Sequence, residues 1–551
     1  MEKIIIESAG KKKLTDAIFN RVKREHMRPV RSRARDSVAS PKDRGAATSN
    51  GMHGLPNNIS LISVYQKLLK SGKIKANQKL EAVIRKRKVR TLSGIASITV
   101  LTKNWGCPGK CAYCPTEKDM PKSYLSNEPA VMRAIANEFD PIRQTHSRLK
   151  SLKAQGHATD KIEIIVIGGT WSAIPRDYQG WYIQKLYEAL NGFALRSFTR
   201  RTGRSARSLK AAQAYNARYA KHKLVGLTLE TRPDWVTEKE IKQMREYGCT
   251  RVELGVQSLY DDVLDISNRG HHIEQTARAT KMLKNAGFKI NYHMMLNLLG
   301  SNPKKDIAMF KELFLNPDFR PDMLKIYPCM VIKGTKLYDW WKQDKYKPYT
   351  DRQLINIIKK AKQYVPEYCR IVRVIRDIPA ESIEAGSKAS NLRQTIHEEM
   401  KREGLKCRCI RCREIGNIKL ETRNIKLKRM DYEASGGREI FLSFEDTKHD
   451  KLAALLRLRL CLESRSLNIE KTAIIRELHT YGEAVPLFRD RDSKHTQHRG
   501  LGKLLVKEAE RIAQKEFGAR RIAVISGVGV RGYYAKLGYK LRDTYMVKNL
   551  K

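Results

Sequence analysis

No stretch of this chain comes near the ~20 consecutive apolar residues that a membrane-spanning helix needs; Ile164-Ile-Val-Ile167 is among the longest runs. A helical membrane span is therefore not expected. The start, Met1-Glu-Lys-Ile-Ile-Ile-Glu7, lacks an apolar core followed by a small-residue cleavage site, so no secretory signal is expected and a cytoplasmic location is. Acidic residues are scarce: 58 Asp plus Glu face 108 Lys plus Arg, a formal net charge of +50. A compact fold with that excess repels itself unless a polyanion neutralises it. Nucleic acid is the expected partner, with an anionic membrane surface the weaker alternative. Cysteine is too clumped for a disulfide framework, since six of the ten sit in two tight groups. That pattern suits a reducing compartment with metal-bound thiols. Cys249, Cys329, Cys369 and Cys461 read as buried small hydrophobes.

What is present is repetition. Apolar, β-branched runs at 95–101, 162–167, 224–229, 252–256, 290–296 and 323–327 alternate with amphipathic stretches such as 128–150, 237–247, 274–286 and 303–314. The alternation predicts an α/β fold, a partial (βα)6-type barrel with its site at the carboxyl ends of parallel strands. The predicted division is a basic N-terminal region 1–89, the barrel 90–400, a cysteine-rich linker 401–427 and an α+β domain 428–551. Segments 28–44, 85–90 and 195–223 are expected to grip nucleic-acid phosphates. The candidate contacts are Arg85, Lys86, Arg87, Lys88, Arg90, Arg200, Arg201, Arg204, Arg207 and Lys210. Tyr215 and Tyr219, among these charges, suit either base stacking or packing on the barrel.

One short loop carries the most chemistry: Cys107-Pro-Gly-Lys-Cys111-Ala-Tyr-Cys114. Three thiolates from one loop hold three irons of a [4Fe-4S] cubane and leave the fourth iron open to a chelating ligand, such as the amino-acid end of S-adenosylmethionine. Zinc is the rival, but it takes four ligands, and no further Cys or His follows within about thirty residues. Gly168-Gly169-Thr170 ends the second predicted strand, where glycines let backbone approach a ligand. Glu230 and Arg232 end the third strand, and Glu253 and Gln257 the fourth, lining one rim suited to ribose hydroxyls and a carboxylate. Lys325, a catalytic candidate, and Tyr327 end the sixth.

These stretches match a known family. The loop is joined by Arg90-Thr-Leu-Ser-Gly94, Asn268-Arg-Gly-His271, Asp322-Met-Leu-Lys-Ile-Tyr-Pro328, Arg376-Asp-Ile-Pro379 and Asn391-Leu-Arg393. From about residue 60 onward the chain resembles the Elongator catalytic-subunit family, radical S-adenosylmethionine enzymes with an acetyltransferase domain that modify wobble uridine in tRNA. It departs from many members in lacking a His between the first two cysteines, and in having Thr116-Glu117 where they carry a Gly pair. The resemblance implies that Gly168, Gly169 and Thr170 meet the methionine amino group of S-adenosylmethionine. It implies a 5′-deoxyadenosyl radical that takes hydrogen from the acetyl methyl of acetyl-coenzyme A. The carbon radical adds to C5 of uridine 34, and thioester hydrolysis leaves a carboxymethyl group. The implied partners are the tRNA anticodon stem-loop and an electron donor, with accessory subunits or self-association left open.

Cys407-Arg-Cys409-Ile-Arg-Cys412 suits a tetrahedral Zn²⁺ with one distant ligand; the resemblance also points to zinc, and His479, His495 and His498 are candidates for the fourth position. The predicted strand 472–479 precedes Gln497-His498-Arg499-Gly500-Leu501-Gly502, which opens an amphipathic helix at 503–517. Glycines at a helix start free N–H groups for a phosphate, and the helix dipole adds to the attraction. This Q-x-x-G-x-G pattern resembles the acetyl-coenzyme A pyrophosphate loop of GNAT acetyltransferases. The resemblance makes residues 497–502 with Glu477, Leu478 and His479 the cosubstrate site, and gives Tyr534, ahead of Tyr533, the task of protonating the departing thiolate. Gly527-Val-Gly529-Val-Arg-Gly532 spells a dinucleotide fingerprint, but too few residues follow for its next strand and acidic residue, so it is predicted to be a tight loop.

Two other readings stand beside this one. A protein-lysine acetyltransferase with a structural barrel fits poorly, because histone tails are themselves basic and a +50 surface repels them. Against an RNA-binding scaffold with degenerate sites stand two intact cysteine triads and the glycine loop.

Overall fold

The computed structural model describes residues 1–11, 13–26, 57–85, 91–192, 208–416, 422–460, 472–482 and 500–550. They fall into two compact units, Met1–Thr91 with Leu149–Ala158, and Leu92–Arg148 with Thr159–Lys551. In the first, helices Glu2–Gly10, Asp16–Glu25, Asn58–Lys70 and Gln78–Ile84 bury Ile5, Phe19, Leu61, Tyr65 and Leu80 in a shared core. Three of these helices begin on side-chain caps: Thr15, Asn57 and Asn77 accept the N–H groups of Ile18, Ser60 and Leu80.

The second unit holds two seven-stranded sheets. In the first, β1 (Ala96–Leu101), β2 (Lys161–Ile167), β3 (Lys223–Thr231), β4 (Arg251–Gln257), β5 (Lys289–Leu296), β6 (Met323–Pro328) and β7 (Arg370–Val374) lie in chain order. Every neighbouring pair is parallel. Parallel strands need crossovers, and helices such as Arg176–Leu190, Ile273–Asn285 and Pro303–Leu315 supply them. This is the expected α/β half-barrel with one strand more than the six predicted. The extra strand, β7, is Arg-Ile-Val-Arg-Val; its arginines hide an apolar run, although Ile371 and Val374 are buried.

The second sheet comprises β8 (Ile425–Ala434), β9 (Gly437–Asp446), β10 (Lys451–Leu460), β11 (Thr472–Thr480), β12 (Arg521–Val524), β13 (Lys540–Arg542) and β14 (Tyr545–Asn549), in the order β13-β14-β12-β11-β10-β9-β8. Only β11 and β12 run parallel. Alternation along β10 sets its two faces. Leu456 and Leu458 join Ile475, Leu505 and Ile512 in one core, while Arg457 and Arg459 on the other parity are equally buried.

Those arginines meet the barrel. Arg476 of β11 forks onto Asp322 at 2.9 and 2.5 Å, holds Glu439 at 2.9 Å and donates to the Phe288 carbonyl at 2.7 Å. Arg457 takes Glu477 at 2.8 Å and the Tyr368 carbonyl at 2.6 Å. Arg459 takes Glu439 at 2.9 Å and the Asn285 side chain at 2.6 Å. Buried charges are tolerable only when paired and hydrogen-bonded; here each guanidinium has a carboxylate, and only Arg457 Nη1 and Arg476 Nε go without a hydrogen bond among the described residues. Burial alone pushes these carboxyls up, but the cations prevail. Arg476 and Arg457 hold Asp322 below its ordinary range, Arg476 and Lys284 do the same for Glu439, and Lys289 and Arg457 bring Glu477 down to about 2.

Carboxyls whose folded values are depressed stabilise the fold above their unfolded values, and that contribution is lost as pH falls through the folded ones. Urea unfolding at a series of pH values is expected to show stability falling from about pH 4.5 toward pH 2, with a shallower slope in Glu477→Gln. An unchanged slope in that variant would remove Glu477 from the account.

The glycine-rich loop after β12 has its own explanation. A Cβ at Gly527 would collide with the Val225 carbonyl, and Gly529 lies against the backbone of Leu224. The G-x-G-x-x-G spelling records a close backbone approach to β3, as expected of a tight loop.

Candidate functional site

The cysteine loop leaves the end of β1 and is pinned on both sides. The Ala112 N–H donates to the Ser267 carbonyl at 3.0 Å, and its carbonyl accepts from Leu337 at 3.0 Å. Cys107 Sγ lies 3.5 Å from Thr170 Oγ1 and accepts the Gly109 N–H at 3.4 Å. Arg269 Nη1 reaches Cys111 Sγ at 3.4 Å. Arg232, held by both oxygens of Asp234 at 3.0 and 2.9 Å, sits so close to Gly109 that a Cβ there would collide with it. The hydrogen bond with Cys114, then Arg269 and Arg232, bring the Cys111 thiol down to about 5 against its burial, and the same hydrogen bond raises Cys114.

The residues fit an iron–sulfur cluster with a small chelating ligand. One loop presents three thiols, and two buried guanidinium groups are placed to balance thiolate charge. Two buried polar atoms of this region, Thr102 Oγ1 and Gln257 Oε1, have no hydrogen-bond partner among the described residues, and His271 Nδ1 lies 3.9 Å from Asp234. Gly168, at φ +138°, packs where a Cβ would strike Thr102 Oγ1, while Gly169 has only the Lys122 carbonyl near it, at 3.9 Å.

Inside the barrel the strand register gathers charge. Glu253 lies beside Asn291, and His293 beside Lys325, and residues two apart share a face. Glu253 accepts from Asn291 at 3.1 Å, lies 2.8 Å from His293 Nε2, and pairs with Lys325. His293 Nδ1 is 3.5 Å from Glu230, whose other oxygen accepts the Tyr124 hydroxyl at 3.3 Å. Burial pushes Glu253 up, but Lys325 and His293 hold it well below the carboxylate range. Tyr327 packs edge-on against His293 at 5.6 Å. Three strand ends of the barrel carry left-handed backbone without glycine, Gln257 at φ 73°, Asn297 at φ 62° and Ile375 at φ 75°, the kind of strain that collects at functional rims.

Glu230, Glu253, Lys325 and Tyr327 are thus brought together as expected. Arg232 instead turns toward the cysteine loop, and Gln257 keeps a buried carbonyl without a partner. Sequence reasoning missed His293 and Arg269. A lone His two residues after Asn291 in an apolar strand was the available signal for the first.

The Sγ atoms of Cys407, Cys409 and Cys412 lie within 4.8 Å of one another, three ligands for a tetrahedral ion. Hydrogen bonds within the triad hold Cys409 low and Cys407 high. His479 is not the fourth ligand: its Nε2 bonds the Ser93 carbonyl at 2.7 Å and its ring packs on Tyr481 at 4.3 Å. Among the described residues no other ligand joins the three. His495 and His498 lie outside them.

In the second sheet, β11 and β12 pair only from Thr472↔Arg521 to Ile475↔Val524. Beyond that point β11 runs on to Thr480 without its parallel partner. The helix Leu501–Arg511 begins at this splay behind Gly500, a left-handed N-cap at φ 81°. A methyl at Gly502 would lie 3.3 Å from the Tyr533 hydroxyl, 3.7 Å from Leu478 and 3.8 Å from Thr480. Strand backbone beside a helix N-terminus can form an anion cradle. Leu478 and Leu501 pack on the core. The Glu477 carboxylate is committed to Arg457 and Lys289, so only its main chain is left for a ligand. Tyr534 is 5% exposed and Tyr533 39%; the hydroxyl at the helix start is Tyr533's, and the preference for Tyr534 rests on resemblance alone. Gln497, His498 and Arg499 lie outside the described residues.

Of the candidate RNA contacts, Arg85 donates to the Gly156 carbonyl at 3.0 Å and Lys210 is exposed. Segment 28–44 and Lys86, Arg87, Lys88, Arg90, Arg200, Arg201, Arg204 and Arg207 lie outside the described residues. Tyr215 is 38% and Tyr219 69% exposed, with ring centroids 5.5 Å apart. No helix among the described residues is long and apolar enough to cross a membrane.

The Radical SAM superfamily model matches residues 105–313 and the Radical_SAM C-terminal domain residues 321–402. The chain is 48% identical over 481 residues to the tRNA uridine(34) acetyltransferase of Methanocaldococcus infernus, covering 85% of this chain and 88% of that protein. It is 41% identical over 527 residues to Elongator complex protein 3 of Homo sapiens, covering 92% of each. Among solved structures, the archaeal Methanocaldococcus infernus Elp3 with an N-terminal deletion superposes with a TM-score of 0.72 at 45% identity, covering 83% of this chain and all of that one.

Proposed function

The chain belongs to the radical S-adenosylmethionine family of tRNA uridine(34) acetyltransferases and Elongator complex protein 3, and we propose that it builds a carboxymethyl group on C5 of the wobble uridine from the acetyl group of acetyl-coenzyme A. The observation that carries this reading is a thiol loop with two buried guanidinium groups beside it, in the same compact unit as a splayed sheet with a glycine-capped helix. Cys107, Cys111 and Cys114 would hold a [4Fe-4S] cluster with S-adenosylmethionine on its open iron, supplying the one-electron chemistry that starts the reaction.

The chain's own residues then have separate tasks. Backbone at Gly168, Gly169 and Thr170 receives the methionine amino group. Glu230, Glu253, His293 and Lys325 hold a polar, water-excluding wall beneath it. Gly500 to Gly502 and the end of β11 cradle the coenzyme A pyrophosphate, and Tyr534 or Tyr533 protonates the departing thiolate. Cys407, Cys409 and Cys412 hold a structural Zn²⁺. The basic region 1–89 grips tRNA, the barrel 90–400 performs the radical chemistry, the linker 401–427 carries the zinc, and 428–551 binds acetyl-coenzyme A. A separate electron donor starts the reaction, and the uridine adduct must give up one electron and its C5 proton to restore the C5–C6 double bond.

The test uses oxygen-free, iron-reconstituted protein with tRNA, S-adenosylmethionine and acetyl-coenzyme A labelled with carbon-13 at both acetyl carbons. Mass analysis of digested nucleosides should find carboxymethyluridine carrying both labels, and much less of it from Tyr534→Phe or Tyr533→Phe, whichever is the acid. Unmodified uridine with label only on protein lysines would overturn the reading.

A further inference from the structure

Beside the cysteine loop lies a row of aromatic rings that no task above uses. Trp105, two residues before Cys107, is 45% exposed, and Trp181, on the helix Arg176–Leu190, is 41% exposed. Tyr178 bridges them, its ring centroid 4.9 Å from Trp105 and 5.4 Å from Trp181. The row is anchored from behind. Tyr178 also packs on buried Tyr182 at 5.6 Å, and the Tyr182 hydroxyl donates to the Leu101 carbonyl at the end of β1, at 2.8 Å. The Tyr178 hydroxyl accepts the Lys103 N–H at 3.2 Å. Tyr178 is therefore held in place, half-buried, with the exposed rings of Trp105 and Trp181 on either side of it.

Large aromatic rings normally find cover, because each carries a large apolar area. Beside this row the side chain of Lys103 is exposed, and Lys110 is exposed farther along the cysteine loop; among the described residues neither makes an ion pair, while the Asp140 carboxylate lies behind the row, toward Tyr178 and Tyr182. Flat π faces beside an unpaired ammonium group are the recognition chemistry of single-stranded nucleic acid: any base can stack, and a phosphate meets the lysine. An acidic protein would answer the lysine and leave the indoles unexplained. The place fits as well. Trp105 adjoins the loop whose Cys107 touches Thr170, so the row stands at the mouth of the barrel. A base that enters the barrel must leave its stack, and its neighbours then lose a stacking partner.

We propose that Trp105, Tyr178 and Trp181 form a stacking platform for the unpaired bases that flank the target base in an RNA loop. The inference deepens the tRNA reading and rests on it. The measurement is binding of a short anticodon stem-loop RNA to the full chain over a series of salt concentrations, beside a blunt duplex RNA of equal length. Trp105→Ala and Trp181→Ala are each expected to weaken stem-loop binding about tenfold, with Trp181→Phe recovering most of it. The slope of log K against log salt should stay unchanged, because no phosphate contact is lost, and duplex binding should not move.

Unchanged stem-loop affinity, equal losses on the duplex, or a shallower salt slope would overturn the platform. If Trp105→Ala disturbs the neighbouring loop, seen as lower iron content, Trp181→Ala decides alone. Wild-type protein that fails to bind the stem-loop sinks the tRNA reading and the platform with it. Wild-type binding with indifferent variants sinks the platform only.

Discussion

Asp322→Leu is expected to be among the most destabilising single changes in this protein, lowering unfolding free energy by about 3–5 kcal/mol. Asp322 accepts both guanidinium nitrogens of Arg476, lies 3.6 Å from Arg457 and accepts the Ile290 N–H at 2.9 Å. Removing it leaves two buried cations short of a counter-charge and strands a backbone donor. The effect should appear as a lower urea midpoint with an unchanged slope. Pairing it with Arg476→Met should recover much of the loss, because the cation goes with its partner and Glu439 keeps Arg459. A single variant within about 1 kcal/mol of wild type would mean that the pair behaves like an exposed one.

Cys111→Ser is expected to have the largest effect on chemistry. Cys111 is the middle thiol of the loop and the one that Arg269 addresses. Its loss should leave reconstituted protein with only trace iron and no labelled nucleoside, while the unfolding midpoint stays close to wild type. Arg269→Gln separates two roles: all three thiols remain, but the charge-assisted bond is gone, so iron should load and then be lost faster to a chelator. Full iron retention in Cys111→Ser would show that the loop is not the cluster site. Cluster loss accompanied by general unfolding would make Cys111 a packing residue instead.

Much of this could be read from the chain. The first six barrel strands announced themselves because buried parallel strands are continuous apolar runs, and each triad because thiols at that spacing have few other uses. What stayed hidden has one physical theme, polar residues in apolar places. Arg457, Arg459 and Arg476 alternate with leucines and isoleucines, yet sequence reasoning sends arginine to the surface. β7 was masked by its own arginines. His293 is a candidate only once register sets it beside Glu253 and Lys325. Resemblance put Tyr534 ahead of Tyr533, but which of the two points at Gly502 depends on how the last short helix, Arg531–Ala535, is turned, and there it is Tyr533.

The arginine-lined face of the second sheet bears on modularity. Cut the polypeptide after the barrel, and the released C-terminal half would carry Arg457 and Arg476 without Asp322, and Arg459 without Asn285. Such a fragment would present a sticky cationic plane where its parent has a dry seam. Grafting that half onto an unrelated partner would demand a matching set of acids and carbonyls, so the two halves of this protein are expected to have changed together and not to have been exchanged as separate parts.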